Sequence, residues 1–458
     1  MRVEKDYLGE LEIENDVYYG IHTKRALLNF PKTSEKFDEK FIWAYFMVKK
    51  ACALLNNELG YLKSEMTNAI IRACDEWRDL SAHVVVDPLT GGAGTSINMN
   101  INEVIANRAT ELLGGKKGEY IVDPLEHVNL HQSTNDTFPT AGKIAVIVRL
   151  RELIDKVIKL QDVIQRKEKE FYAIRKPGRT QLMDGPPIML GQEFGAFAEA
   201  LARDRWRLYK VEERIRSVNM GGTAIGTGIG APKKYILKIV DKIRDVSNVK
   251  IAKAENLIDA TQNMDVFAEV HGLLKSLAVN IYKISNDLRL LGSGPNTAIG
   301  EITLPMVQVG SSIMPGKINP VVLEYSLQLA HVVFGNDIII NHACSMGNLE
   351  LNQFTPLIIH TTLKSLNLLK NACEALIKYI EKIKANTSRC EEHLKNSVAN
   401  LTPLINLFGY EKVSNSIKKS NWDLYKALEI LANDLGIAKD ELLEKLNLKK
   451  MSGLGYSM

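Results

Sequence analysis

The sequence of 458 residues is poor in cysteine and has little excess charge. Its five cysteines are an odd number and include no Cys-x-x-Cys pair, so neither a disulfide framework nor a zinc site is indicated. Lysine and arginine total 58 against 54 aspartates and glutamates, which gives a net charge of +4. Because no run of five like charges occurs either, we expect neither nucleic acid nor an acidic membrane among the partners.

Long apolar runs are also absent. The sequence has no stretch of about 18 apolar residues, the length that spans a membrane. Residues 1–6 are charged and lack the apolar core of a signal peptide. We therefore expect a cytoplasmic protein with no membrane partner, whose cysteines are reduced and mostly buried.

What the sequence does contain is long helical periodicity. Between residues 141 and 174, apolar side chains recur every seven positions in two rows: Val146, Leu153 and Leu160, and Leu150, Val157 and Ile164. Four further segments have helical spacing: 188–218, 267–291, 320–340 and 356–383. Segments this long predict a bundle of nearly antiparallel helices. Because the apolar stripes are wider than one seam, they favour a homo-oligomeric core, with a monomeric helical domain as the alternative.

The two ends of the chain differ from this middle part. Residues 1–35 are mixed and are followed by helical patterns near 38–58 and 63–80, whereas short amphipathic helices are predicted at 422–435 and 438–446. We predict a mainly α fold in three regions: a mixed, mainly helical N-terminal domain (1–134), a central long-helix domain (135–388) and a small C-terminal helical domain (389–458).

A long irregular segment, residues 292–320, separates two of the helical patterns. It contains five glycines and four prolines, which disfavour a regular element. It also contains many apolar residues, so a solvated linker fits poorly. Segments of this kind inside compact domains are usually lids or binding loops.

The end of this segment, residues 310–320, reads Gly-Ser-Ser-Ile-Met-Pro-Gly-Lys-Ile-Asn-Pro. It is not a phosphate-binding P-loop, because five residues separate its glycines and Ile318 follows the lysine. Residues 226–230, Gly-Thr-Gly-Ile-Gly, are likewise no dinucleotide turn, since a helical pattern precedes them. The string instead predicts an anion site of backbone N–H groups and Lys317, with Asn319 capping the next helix. Ser311 could act there as a base, or with Lys317 as a hydrolytic pair.

This eleven-residue string is similar to the signature of the aspartase/fumarase superfamily. Further blocks resemble the same superfamily over nearly the whole chain: Tyr-Gly-Ile-His-Thr at 19–23, Gly-Gly-Ala-Gly-Thr-Ser at 91–96, Gln-Ser-Thr-Asn-Asp at 132–136, Gly-Arg-Thr-Gln-Leu at 178–182, and Gly-Gly-Thr-Ala-Ile-Gly-Thr-Gly at 221–228. Two positions depart from its pattern. Asn296 stands where an arginine is usual, and Gly230-Ala231 replaces Asn-Thr.

The resemblance implies three mainly helical domains, of which the central one gives long helices to a tetrameric core. It implies active sites shared between three subunits, and no cofactor or metal. The implied reaction removes a group from C2 and a proton from C3 of a succinate skeleton and gives fumarate. Extra negative charge then develops on the carboxylate next to C3, so many hydrogen-bond donors are needed around it.

The resemblance also implies roles for individual residues. Ser311 is expected to be the general base. The C4 carboxylate is expected to be bound by Thr95, Ser133, Thr134 and Ser312, and the C1 carboxylate by Thr180, Lys317 and Asn319. The departing group is expected to face Thr95, Asn135 and Gln181. Glu324 is expected to support the site from behind.

Gln181 favours ammonia as the departing group. The hydratase branch of the superfamily has a histidine there, which can exchange a proton with water, whereas an amide cannot. We therefore expect reversible deamination of L-aspartate by anti β-elimination, through an enediolate (aci-carboxylate) intermediate. The alternative is class II fumarate hydration, toward which residues 347–352 and His360 point weakly. A non-catalytic structural relative is disfavoured because the serine pair, Lys317 and Asn319 are all present.

Overall fold

The computed structural model describes residues 1–446. Helices dominate, and the strands are short and form four two-stranded sheets. The strands are β1 (Arg2–Asp6), β2 (Gly9–Ile13), β3 (Arg175–Thr180), β4 (Met183–Met189), β5 (Ser217–Val218), β6 (Ala252–Lys253), β7 (Ile302–Thr303) and β8 (Lys384–Ala385). Only β5 and β6 pair in parallel within the described residues. The predicted mainly α fold is confirmed.

The N-terminal part contains five α-helices, of which the first and the last were not predicted. They are α1 (Ile21–Asn29), α2 (Glu39–Glu58), α3 (Ser64–Asp75), α4 (Trp77–Leu80) and α5 (Thr95–Leu112). A 3₁₀ turn (Ser81–His83) and a short π-helix (Pro124–Val128) interrupt the connections. The patterns near 38–58 and 63–80 correspond to α2 and to α3 with α4.

The long helices of the middle part are also as predicted. The helices there are α6 (Thr134–Glu170), α7 (Leu190–Ile215), α8 (Lys233–Ser247), α9 (Asp259–Gln262), α10 (Asp265–Leu291), α11 (Val321–Ser345) and α12 (Thr355–Ile380). The six residues of the two apolar rows on α6 are all fully buried. Their burial explains why the seven-residue spacing predicted this helix, since both rows face neighbouring elements.

Short helices complete the described chain. They are α13 (Thr387–Asn396), a 3₁₀ turn (Val398–Leu401), α14 (Leu404–Phe408), α15 (Tyr410–Lys419), α16 (Leu424–Leu435) and α17 (Lys439–Lys445). They enclose a small core formed mainly by leucines, including Leu401, Leu404, Leu428 and Leu431.

The chain forms two compact units. The first comprises Met1–Asp155, Asp204–Ala278 and Leu329–Asn371, and the second comprises the remaining segments Lys156–Arg203, Val279–Gln328 and the chain from Ala372 onward. The division into domains 1–134, 135–388 and 389–458 stays a prediction, and residues 447–458 of its last domain lie outside the described residues. Among residues 1–446, no helix is both long enough and apolar enough to cross a bilayer.

Candidate active site

Four of the predicted site residues lie at the starts of two helices in the first unit. Thr95 is the first residue of α5, and Gly94 before it has a left-handed backbone with φ +95°. A Cβ atom on Gly94 would lie 2.6 Å from the ring of Phe138. Glycine is therefore required there for its conformation and for space.

Ser133, Thr134 and Asn135 form the start of α6. The Ser133 Oγ accepts from the Asn135 N–H at 3.2 Å, and Asp136 Oδ1 accepts from the Ser133 N–H at 3.0 Å. These two contacts form a reciprocal cap like a capping box, which satisfies the N–H groups of Ser133 and Asn135 at the helix start. The backbone of the three predicted site residues is thus fixed by hydrogen bonds within the first turn of α6.

The buried carboxylate of Asp136 also anchors a distant loop. Its Oδ2 accepts from the N–H groups of Gly221 and Thr223, at 3.2 and 3.0 Å. Burial raises the pKa of Asp136 to about 6, although hydrogen bonds from Ser133 and from this loop oppose the shift. One carboxylate therefore ties the 221–228 block to the 132–136 block.

Asn98 joins the two helix starts. Its Nδ2 donates to the Thr134 Oγ at 3.0 Å, and its Oδ1 accepts from the Tyr45 hydroxyl at 2.9 Å. Because the Thr134 oxygen accepts this bond, its own proton can be donated elsewhere. The structure therefore brings the Thr95 block and the Ser133–Asn135 block together and leaves a hydroxyl donor on Thr134.

Asn135 is held by two contacts with the loop that follows α7. Its Nδ2 donates to the Ala224 carbonyl at 2.7 Å, and its backbone carbonyl accepts from Asn219 Nδ2 at 2.9 Å. Within residues 1–446, the Asn135 Oδ1 atom has no hydrogen-bond donor among the protein groups. This oxygen is an acceptor, which suits the N–H bonds of a departing amine.

Sequence reasoning missed Lys49, which lies behind these groups. Its buried ammonium donates to Asn129 Oδ1 at 3.0 Å and to Gln132 Oε1 at 2.9 Å. Burial lowers its pKa to about 7. The sequence feature that could have indicated this residue is a lysine within a nearly all-apolar helical segment, residues 41–55. Its position next to Gln132 places a titratable cation beside the start of α6.

Thr180 and Gln181 lie at the tip of the β3–β4 hairpin in the second unit. Thr180 pairs with Met183, so Gln181 and Leu182 form a two-residue turn, with φ of +54° and +64°. Such a turn usually contains Asn-Gly, because both central residues are left-handed. The tip is exposed, and among the described residues neither the Thr180 nor the Gln181 side chain has a hydrogen-bond partner. Both are therefore available to a ligand.

Ser311, Ser312, Lys317 and Asn319 lie on the loop before α11, also in the second unit. The loop is closed by two bonds: the Gly310 N–H donates to the Lys317 carbonyl at 2.9 Å, and Asn319 Nδ2 donates to the Gly310 carbonyl at 2.8 Å. A Cβ on Gly310 would lie 2.6 Å from the Lys317 oxygen. The predicted cap by Asn319 is wrong, because its amide closes the loop instead.

The Ser311 hydroxyl faces two backbone donors. Its oxygen accepts from the N–H groups of Ile313 and Met314, at 3.2 and 3.0 Å. Hydrogen bonds to a deprotonated oxygen stabilise the charged form. No carboxylate or imidazole among residues 1–446 is hydrogen-bonded to Ser311, so these two amides are its partners within the described chain.

Lys317, Asn319 and Glu324 line a cavity of about 910 Å³ in the second unit. Glu324 lies 3.9 Å from Arg289. Within the described residues, the exposed Lys317 ammonium has neither an ion-pair nor a hydrogen-bond partner. A carboxylate entering the cavity would therefore meet an uncommitted cation.

The predicted residues thus form three groups. Thr95 and residues 133–135 are together in the first unit. In the second unit, Thr180 and Gln181 share the hairpin tip, and the four predicted residues between 311 and 319 share the loop before α11. Of the loop residues, Lys317 and Asn319 also line the cavity, together with Glu324. The hairpin tip does not line that cavity. The roles of the individual residues stay predictions. No group of three or more His, Cys, Asp or Glu side chains within residues 1–446 could hold a metal ion.

Comparisons with known proteins were made for the sequence and for the fold. A family model described as lyase matches residues 9–335. The chain is 42% identical to an aspartate ammonia-lyase of a Bacillus species, over 100% of this chain and 98% of that protein.

Two solved structures share the fold. A fumarate lyase:delta crystallin of Brucella melitensis has a TM-score of 0.93 at 40% identity, covering 99% of this chain and 100% of that one. The class II fumarase of Schistosoma mansoni has a TM-score of 0.93 at 28% identity, covering 98% and 99%. With its eleven-residue loop and helical fold, the chain belongs to the aspartase/fumarase superfamily of lyases.

Proposed function

We propose that this enzyme converts L-aspartate reversibly to fumarate and ammonia. The observation that carries the proposal is the full-length identity of 42% to an aspartate ammonia-lyase, compared with 28% to a class II fumarase. Gln181 supports the same branch, since it offers a neutral amide where the departing group is expected.

The proposed reaction begins with removal of the C3 proton by Ser311 Oγ. Two N–H groups already point at this oxygen, from Ile313 and Met314, and they stabilise its deprotonated form. The electron pair of the C3–H bond moves onto the C4 carboxylate and forms the aci-carboxylate. When the pair returns to form the C2=C3 double bond, the C2–N bond breaks and ammonia leaves. The proton on Ser311 then passes to solvent.

Donors for the two carboxylates come from different groups. The Thr134 hydroxyl has its proton free because its oxygen accepts from Asn98. With Thr95, Ser133 and Ser312 it would stabilise the charge that develops on C4. The free Lys317 ammonium would hold the C1 carboxylate with Thr180 and Asn319.

The departing ammonia would be received by Asn135 and Gln181. The Asn135 Oδ1 is an available acceptor because its Nδ2 is already bound to Ala224. Gln181 offers both an acceptor and a donor. Ammonia can leave from a protonated amine without a titratable partner, whereas the C2 hydroxyl of malate has to receive a proton in order to leave as water.

The substrate assignment predicts a clear difference between two assays. Purified protein should form fumarate from L-aspartate, followed by ultraviolet absorbance, with little or no formation from L-malate. Measuring ammonia in the same samples checks that the absorbance comes from deamination. Brisk hydration of fumarate without any reaction of L-aspartate would instead establish the alternative, a class II fumarate hydratase.

We further propose a homotetramer in which three subunits contribute to each active site. The exposed residues of α11 between 331 and 342 include no lysine, arginine, aspartate or glutamate. Val332, Ile338 and Ile339 on this face are 43%, 62% and 42% exposed in the single chain. A helix face of this kind is typical of a subunit interface.

A charge on this face should disrupt the assembly. Light scattering should give about four times 51.2 kDa for the wild type and a smaller particle for Ile338→Arg. The matched control is Leu8→Arg, which charges a residue 72% exposed near the N-terminus and should leave the mass unchanged. A wild-type particle of 51.2 kDa would contradict the tetramer.

A further inference from the structure

A buried ion cluster lies at the base of the hairpin that carries Thr180 and Gln181. At its centre is Glu301, whose side chain is fully buried. Arg179, the residue before Thr180, binds it with two parallel contacts, Nη1 to Oε2 at 2.9 Å and Nη2 to Oε1 at 2.7 Å. A bidentate contact of this kind fixes orientation as well as distance.

Other charged groups surround the same carboxylate. Lys176 on β3 is buried and lies 3.1 Å from Glu301 and 2.7 Å from Glu193 of α7. The two cations of β3 hold the pKa of Glu301 below its usual value, although burial alone would raise it. The carboxylate is therefore ionised and fully committed to its partners.

The last partner comes from the C-terminal part of the chain. His393 on α13 places its Nδ1 2.9 Å from Glu301 Oε1, the oxygen that also binds Arg179. Since a carboxylate only accepts, the imidazole proton is on Nδ1 in this contact. The Arg179 Nη2 lies 3.3 Å from the same nitrogen, so the imidazole closes one side of the guanidinium.

The position of α13 is itself fixed against the segment that leads to Glu301. Asn386 Nδ2 donates to the Gly300 carbonyl at 3.0 Å, and the Asn386 N–H donates to the Glu301 carbonyl at 2.9 Å. Arg389 donates to the Ala298 carbonyl at 3.0 Å. These bonds hold α13 against residues 298–301, so the position of His393 relative to Glu301 is fixed.

The hairpin tip has no comparable support of its own. Gln181 and Leu182 both have positive φ without glycine, and the tip residues are exposed. Among the described residues, Arg179 makes the side-chain contact nearest to the tip on β3. A displacement of Arg179 would therefore also displace Thr180 and Gln181, the two residues that follow it.

We propose that His393 is a positioning residue for this turn, acting through Glu301 and Arg179 to set where Gln181 meets the departing ammonia. The inference rests on the proposed function in its use of Gln181. Without the imidazole, Arg179 can move toward the vacated space, and Glu301 loses one of the two donors on Oε1. Thr180, one of three residues expected to hold the C1 carboxylate, moves with the turn, but Lys317 and Asn319 on the loop and the residues of α6 stay in place. The bond-breaking step should therefore suffer more than substrate binding.

The test compares three variants of α13. His393→Leu removes the donor, and His393→Asn keeps an N–H donor near the position of Nδ1. Glu391→Gln alters an exposed neighbour with no contact to the cluster. We expect His393→Leu to lower kcat for L-aspartate roughly 10- to 100-fold with little change in KM, as misplacement of a group does. His393→Asn should recover most of the loss, and Glu391→Gln should match the wild type.

A second readout does not depend on activity. Amide hydrogen exchange of the hairpin, residues 175–189, should be faster in His393→Leu than in Glu391→Gln, with equal thermal unfolding of the rest of the protein. Equal exchange in these two variants, or an unchanged kcat in His393→Leu, would overturn the inference. If the wild type forms no fumarate from L-aspartate, the proposed substrate is wrong, and hydrogen exchange still decides whether His393 positions the hairpin.

Discussion

Replacing Ser311 with alanine should lower kcat for L-aspartate by ~10²–10⁴-fold, the usual effect of losing a general base. The two N–H groups that Ser311 accepts from would remain, but without an oxygen that can take the C3 proton. KM should change little, because the carboxylate clamps are separate residues. Initial rates of fumarate formation measure the effect, and light scattering checks that the assembly is intact.

The matched control for this experiment is Ser345→Ala. Ser345 is an exposed residue at the end of α11 whose hydroxyl donates to the His342 carbonyl. Its replacement removes the same atom from a helix end and should leave the rate unchanged. Near-normal turnover in Ser311→Ala would mean that the base is another residue.

Replacing Lys317 with alanine should act mainly on binding. The ammonium has no partner within residues 1–446, so its loss leaves no buried charge unpaired and should not destabilise the fold. A hydrogen bond to a charged group contributes about 1.5–3 kcal/mol, which corresponds to a KM increase of roughly 10- to 100-fold. Because the C1 carboxylate is bound before and during the reaction, kcat should fall much less.

Steady-state kinetics over a wide range of L-aspartate concentrations separate the two constants. The control is Lys382→Ala, which removes an exposed lysine outside the cavity that Lys317 lines. A large loss of kcat at saturating L-aspartate in Lys317→Ala would show that the lysine acts on the transition state instead.

The long helices could be predicted from sequence because their periodicity reflects burial. On α10 the apolar residues that recur at alternating steps of three and four are all buried: Phe267, Val270, Leu274, Leu277, Ile281, Ile284, Leu288 and Leu291. The β3–β4 hairpin was not predicted. Its turn, Thr-Gln-Leu-Met, contains no Asn-Gly or Asp-Gly, so the local sequence gives no hairpin signal.

The sequence predicts candidate site residues, but it does not predict their contacts. Matched blocks identified Ser133 and Lys317, but no periodicity indicates that Asp136 binds the amides of Gly221 and Thr223, some 85 positions away. The same limit explains the error at Asn319. A cap is a local feature, whereas its amide binds Gly310 nine positions earlier.

The turn at Gln181 and Leu182 has a consequence for how a ligand is recognised. Two left-handed residues without glycine cost roughly 1–2 kcal/mol each, and this cost is incurred when the chain folds. The amide of Gln181 therefore has few backbone conformations left to lose at the moment of encounter. Binding of a ligand by this turn should therefore carry a small entropic penalty. The turn would select its ligand by a backbone shape that is already formed before the ligand binds.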